Sequence, residues 1–439
     1  MARKEKNGIM KGAAQIAVGG FLAKLIGAVY RIPLTNLLGG EGIGLYQLVY
    51  PFYCLLLTLS ATGIPSALAK LVAEKRARGE TPAKLFGTAM RLFLGIGGVA
   101  TLLMIALSPV LAKAQGERGL TYGYLALAPS VLLVSAISVF RGFFQGTGDM
   151  FPTACSEVLE QLIKVAVGLV VAWIFRENLF RAVTALLFAV TLSELFTLLF
   201  LALRFKKKKA AVCVGKRGTP VSKRQVLALS VPVALASLLL PLSGVVESIV
   251  LVRLLRGYAE NAVALYGLFS GGAVTIVNLP VSVCYGVAVA SVPALSKAAV
   301  EGVGVRKRIL YSLGLTLALS SVAAVGLYFC SGFVVPLIFR SLTQEQTEVL
   351  IRLVKLFSLS AVTLSSTQTL SASLTALGKP IHSVFSMGFA VVIKTGLGVL
   401  LVSKPSVSVY GAAIATDAAY LVSFALEFFF AMRASKNKK

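Results

Sequence analysis

Stretches of roughly twenty apolar residues recur from one end of this chain to the other, and no other feature limits its fold as strongly. "LFLGIGGVATLLMIALSPVLA", from Leu92 to Ala112, is one of them. As a helix rising ~1.5 Å per residue, such a run spans the ~30 Å hydrocarbon core of a bilayer. The runs are continuous rather than alternating every ~10 residues, which excludes a β-barrel. Charged residues make up only 14% of the chain, against about 25% in soluble domains. The sequence is that of an all-α polytopic membrane protein.

About twelve spans are expected, centred near residues 12–37, 44–69, 86–112, 120–145, 153–175, 180–203, 226–252, 263–293, 309–330, 349–376, 381–402 and 408–431. The run at 263–293 is long and contains Pro280, so a kink or a broken helix is expected there. The net charge of +26 would suit a nucleic-acid partner if it were clustered on a domain surface. Instead the cations sit in short connections: Arg3, Lys4, Lys6 and Lys11, then the 70–84 and 297–308 loops, "RFKKKKAAVCVGKRGTPVSKR" and the tail "MRASKNKK". Alternate loops hold few. By the positive-inside rule both termini are cytoplasmic, and no nucleic acid is expected. The basic start carries no processing site, so no cleavable signal peptide is expected.

The sequence also repeats itself. "PSALAK" at 65–70 returns as "PALSK" at 293–297, and "GDMFPTACSEVLEQLIK" returns as "GKPIHSVFSMGFAVVIK". From Gly148 to Lys164 and from Gly378 to Lys394 the interval is 16 residues. Two six-helix lobes in the same orientation follow, 1–205 and 225–439, joined by a basic cytoplasmic linker at 206–224. Such parallel pseudo-repeat halves surround a central cavity and move substrate by rocking.

Ionisable residues within spans cost at least ~2.5 kcal/mol at mid-bilayer, so each is a functional candidate. Gly20, Lys24, Gly27 and Arg31 share one face of the first span; the bland reading is that Arg31 snorkels outward and Lys24 pairs elsewhere. Glu157, Glu160, Gln161 and Lys164 form one stripe on the fifth, or else Glu160 and Lys164 are a structural ion pair. Lys164 has a repeat-mate in Lys394. Glu247 and Asp417 stand alone in apolar runs, Asp417 being a partner for Lys394 across adjacent helices. Thr275, Asn278, Ser282 and Tyr285 share a face. "SLSAVTLSSTQTLSASLTALG" is so rich in hydroxyls that one side is expected to meet water or a polar ligand, the alternative being helix–helix glue. His382 reads as a loop residue, and the five cysteines, without CxxC or Cys/His spacing, as apolar filler with no metal site. No catalytic triad, HExxH or phosphate loop is present, so no enzyme is expected.

"RIPLTNLLGGEGIGLYQLVYPFYCLLLTLSATGIPSALAKLVAE", from Arg31, resembles the first hairpin of the polysaccharide-transporter and stage V sporulation protein B group. That group lies in the multidrug/oligosaccharidyl-lipid/polysaccharide exporter superfamily, related to the lipid II flippases. "FRGFFQGTGDMFPTACSEVLEQLIK", "PLSGVVESIVLVRLL" and "NLPVSVCYGVAVASVPALSK" resemble its later spans, with Glu247 where Asp is more usual. Many members have fourteen spans, so two fewer are expected here, and lipid II flippases use the extra pair to hold the lipid tail.

The resemblance implies a flippase that carries a prenyl-pyrophosphate-linked oligosaccharide or cell-wall precursor to the outer leaflet of a bacterial cell membrane. Arg31 is the headgroup ligand that the resemblance puts first; Lys24, Arg141, Lys164 and Lys394 follow, with Glu157, Glu160, Glu247, Asn278 and Asp417 as ion-coupling or cavity groups. No cofactor is expected, and H⁺, Na⁺ or the membrane potential is the driving agent. Expected partners are membrane lipids and cell-wall or polysaccharide synthesis enzymes, and the protein is expected as a monomer. A cation-coupled multidrug antiporter is the alternative; buried cations oppose a cationic cargo. A membrane glycosyltransferase would need acid, base or metal groups in an outer loop, and a scaffold would be indifferent to the buried charges.

Overall fold

The computed structural model describes residues 2–212, 222–301 and 303–436. Among these the chain is helical without strands. The helices are α1 (Ala2–Ser60), α2 (Ile64–Ala77), α3 (Ala83–Ala114), α4 (Leu120–Gly146), α5 (Phe151–Ile174), α6 (Leu179–Val212), α7 (Lys223–Ser237) and α8 (Leu239–Arg256). They continue as α9 (Ala262–Gly267), a π-helical segment (Leu268–Ala273), α10 (Val274–Glu301), α11 (Val305–Ile338), α12 (Gln344–Ala376), α13 (Pro380–Val402) and α14 (Tyr410–Lys436).

Straight, the 59 residues of α1 would run to roughly 90 Å, far more than a bilayer needs. Gly39 divides them. Its φ of 67° and ψ of −173° belong to a region open essentially only to glycine, so the helix becomes two legs. A second break follows at 61–63, and Pro65 then starts α2 from its first turn, so the span expected at 44–69 ends at Ser60.

Nine helical stretches among the described residues are long and apolar enough to cross a membrane, or ten if α7 and α8, bent by 49°, form one span. The expected twelve is larger for two physical reasons. Both legs of α1 fall in a single stretch, Val18–Ala77, and α5 carries Glu157, Glu160 and Lys164. The outward faces are apolar: Val322 and Phe329 on α11 are each 75% exposed, which only a hydrocarbon solvent tolerates over such a length.

The chain divides into two compact units, 1–27 with 48–245, and 28–47 with 246–439. In the first, α4 packs on α3 and α6, and α5 on α6. Its core joins Ile64, Leu68, Phe93 and Phe143, with Phe86 stacked on Phe205 at 4.4 Å. In the second, α12 packs on α11 and α14, and α13 on α14, the same order of pairing. The turns entering α5 and α13 also match. Gly148 (φ 83°) and Gly378 (φ 75°) close α4 and α12 in left-handed conformation, and Pro152 and Pro380 open the next helix.

The expected irregularity at Pro280 lies elsewhere. Pro280 sits within α10, and the disturbance is the π segment, which ends seven residues earlier in the same run. Its widened turn leaves the Ser270 carbonyl to accept from Gln47 Nε2 at 2.9 Å. Here the backbones nearly touch: a Cβ on Gly267 would lie 2.6 Å from Gly44 N.

Candidate functional site

The first unit holds a polar cluster built on α5. Glu157, Glu160, Gln161 and Lys164 follow helical spacing, and the first leg of α1 meets that stripe with its small residues. A Cβ on Gly20 would be 3.5 Å from Glu157 Oε2, and one on Gly27 3.0 Å from Gln161 Oε1. Lys24, between these glycines, is thereby set in electrostatic reach of Glu157. From α4, Arg141 forms an ion pair with Glu160 (Nη2 to Oε2, 2.9 Å) and donates from Nε to Ser156 Oγ at 2.9 Å. Glu160 therefore pairs with Arg141, and Lys164 is a charged neighbour of Glu194 on α6.

Glu194 was not anticipated. It is 4% exposed, its Oε2 has no hydrogen-bond partner among the described residues, and the fully buried Tyr53 lies beside it. It stands alone in "TLSELFTLL", so the same reasoning that selected Glu247 would have found it.

The second unit holds three arrangements. Arg31, on the 28–47 segment, donates from Nη1 to Thr275 Oγ1 at 2.8 Å, one turn before Asn278 on α10. Among the described residues its guanidinium meets a neutral hydroxyl and no carboxylate. Lys394 Nζ on α13 lies 2.7 Å from Glu247 Oε1 on α8, with side chains 21% and 12% exposed. They line a void of ≈ 10 Å³, enough for about one water, together with Phe269, Thr395 and Thr416. Tyr420 is a close neighbour of both charges.

Asp417 does not partner Lys394. It accepts a hydrogen bond from Ser360 on α12, and Glu247 takes the lysine instead. Nor do the α12 hydroxyls present a wet face, since Thr375 near the helix end is the one exposed hydroxyl of that stretch among the described residues. Ser365, Thr367, Thr369 and Ser373 are buried and each donates to the carbonyl four residues back, while Thr369 meets Thr316 of α11 at 2.9 Å. That is the glue alternative. On the expected 275–285 face, Ser282 donates to the Asn278 carbonyl. Glu427 on α14 was also missed: it is 1% exposed and neither oxygen has a partner among the described residues. His382 opens α13 with its ring stacked on Phe430 at 4.6 Å. Cys54, Cys155, Cys284 and Cys330 are free thiols, while Cys213 and the rest of the 213–221 part of the basic linker lie outside the described residues.

The structure thus gathers Lys24, Arg141, Glu157, Glu160 and Lys164 in one unit, and Arg31 with Asn278, Glu247 with Lys394, and Asp417 with Ser360 in the other. Both sets suit electrostatic binding of a charged ligand.

The sequence profile described as "Polysaccharide biosynthesis protein" matches residues 9–299, more than half of the chain. Stage V sporulation protein B of Bacillus subtilis (strain 168) is 29% identical over 93% of this chain and 81% of its own length. Lipid II flippase MurJ of the same organism is 23% identical over 94% and 81%. Among solved structures, an inward-facing multidrug resistance MATE family transporter of the MOP superfamily superposes with a TM-score of 0.79 at 20% identity, covering 94% of this chain and 95% of its own. A MOP superfamily transporter from Pyrococcus furiosus gives 0.70 at 20% identity, covering 99% and 97%. The fold is that of these transporters.

Proposed function

The chain belongs to the polysaccharide biosynthesis protein family, and on that footing we propose that it is a flippase for a prenyl-pyrophosphate-linked oligosaccharide or cell-wall precursor. It works in the bacterial cytoplasmic membrane by alternating access, as two six-helix halves with both termini cytoplasmic. The count of twelve takes the legs of α1 separately, adds α5 and joins α7 with α8. The names of its relatives, a lipid II flippase and a sporulation protein, support the substrate class.

One observation carries the reading. Arg31 is a cation in an apolar run whose contact is a neutral hydroxyl, so its charge is left for a ligand. A guanidinium binds phosphate through a two-pronged set of donors, and in a low-dielectric site that contact is strong. Hydrogen bonds to charged groups contribute about 1.5–3 kcal/mol, or roughly tenfold to a hundredfold in binding. The polar cluster around Arg141 and Lys164 is the second place where fixed cations would stabilise the headgroup. An antiporter for organic cations would draw on carboxylates not paired with cations: Glu160 and Glu247 are paired, which leaves Glu194 and Glu427 as the groups such a cargo would have to use.

Proteoliposomes with a fluorescent prenyl-pyrophosphate sugar test this. Wild-type protein should move the lipid between leaflets, and Arg31→Ala, matched for thermal stability, should lose at least about tenfold of that rate. No movement by wild type, together with uptake of an organic cation, would favour the antiporter.

A further inference from the structure

A groove of ≈ 810 Å³ opens between α10 and α11 in the second unit, apart from every charge considered above. Gly286, Ala290 and Ala294 of α10, four residues apart, form a small-residue floor, with Val287 and Leu315 as apolar walls. A Cβ on Gly286 would meet nothing within 4 Å, and Gly286, Ala290 and Ala294 are all exposed, so the floor is open along its length. Lining residues on α10 run from Val283 to Leu295, about 18 Å of helix rise. That is close to half of the ~30 Å hydrocarbon core, the depth of one leaflet.

One end of the groove is basic. Lys307 and Arg308 line it, and Arg308 Nη1 donates to the Ala294 carbonyl at 2.5 Å, fixing the cationic rim to the end of the apolar floor. Arg306 adjoins them and all three side chains are exposed. They lie in the first turn of α11, at the end of the basic 297–308 stretch, which the distribution of cations puts at the cytoplasmic headgroup level in the proposed orientation. Any apolar trough in a membrane fills with hydrocarbon; this one also selects the group at the chain's end. Adjacent cations match a pyrophosphate, which carries two or more negative charges, better than the single charge of a phosphodiester.

We propose that this groove is the loading site for the cargo's tail. The first isoprenoid units lie along Gly286, Ala290 and Ala294, and the pyrophosphate rests on Lys307 and Arg308 before the headgroup enters the polar site. This rests on the flippase reading, and it assigns to α10 and α11 the holding of the cargo's tail.

The test uses full-length protein in nanodiscs with a photoreactive prenyl pyrophosphate, mapping cross-links by mass spectrometry. Three proteins are compared: wild type, Gly286→Leu/Ala290→Leu, which fills the floor, and Lys307→Glu, which reverses the rim at an exposed position. Labelling should concentrate on residues 283–295 and 307–315, fall about tenfold in both variants, and be displaced by unlabelled prenyl pyrophosphate but not by phosphatidylglycerol. Equal displacement by phosphatidylglycerol would overturn the proposal in favour of an anionic phospholipid site. So would labelling spread evenly over the lipid-facing helices, or unchanged by Lys307→Glu even if the filled variant misfolds. Failure of the flippase reading looks different: wild type would label specifically here yet move no lipid. If wild type and both variants move lipid equally well, the groove alone is refuted.

Discussion

Arg31 and Lys394 are both half-buried cations in apolar runs, yet they are held in opposite ways. Arg31 leans on a hydroxyl, whereas Lys394 is neutralised by Glu247 at 2.7 Å. Their variants should therefore separate function from stability. Arg31→Lys keeps the charge and loses the planar fork, so transport should fall about tenfold with the melting temperature unchanged. An equal loss of stability would mean that Arg31 is a structural anchor. Lys394→Met or Glu247→Gln alone should cost about 3–5 kcal/mol, because each strands a partner, while the double variant recovers most of it. Thermal unfolding in detergent measures the cycle, and additive losses would refute the coupling. The candidates were legible as charges in the wrong solvent, but their pairing was not. Asp417 lies 23 residues beyond Lys394 and Glu247 lies 147 before it, and only the packing of α8 against α13 makes the distant one the partner. Glu194 and Glu427 were equally legible by that criterion and were passed over.

At the scale of elements, breaks decide more than spans do. Gly39 separates the legs of α1 with a backbone conformation that a Cβ opposes, and no neighbouring atom lies within 4 Å of where that Cβ would go. Gly39→Ala should thus destabilise through conformation alone, by about 1–3 kcal/mol. Gly87, equally free of neighbours but within α3, should accept alanine with no loss or a gain of up to ~1 kcal/mol. Comparing the two melting temperatures isolates the backbone term; equal behaviour would show that the break at Gly39 is not strained against alanine. Apolar runs announced the helices readily, because hydrocarbon leaves the backbone no other way to satisfy its hydrogen bonds. Where a run bends was less visible. Pro280, the obvious breaker, lies within α10, whereas the π segment at 268–273 owes its place to Gln47 and to the glycine contact with the 28–47 segment. The hydroxyls of α12 misled for a related reason: Ser and Thr can satisfy themselves on their own helix, so their number alone does not imply water.

For the whole molecule, the charge of the cargo sets the energetics. In the orientation proposed above from the basic loops, a cargo with negative charge moving outward would travel down an inside-negative potential. Each uncompensated charge contributes ~2.3 kcal/mol per 100 mV, so two would bias the leaflets by roughly three orders of magnitude. On the flippase proposal, the potential alone would be enough to drive accumulation in the outer leaflet. In proteoliposomes with protein oriented as in the cell, a potassium gradient with valinomycin imposes the potential, and a membrane-impermeant quencher reports the outer fraction of labelled lipid. That fraction should rise steeply with an inside-negative potential, return to equality when the gradient is collapsed, and reverse when its sign is reversed. A leaflet ratio indifferent to potential would mean that a compensating cation moves with the headgroup. The carboxylates Glu157 and Glu194, in the same unit as Lys24 and Lys164, would then be the groups to neutralise next, reading the dependence on Na⁺ and on pH.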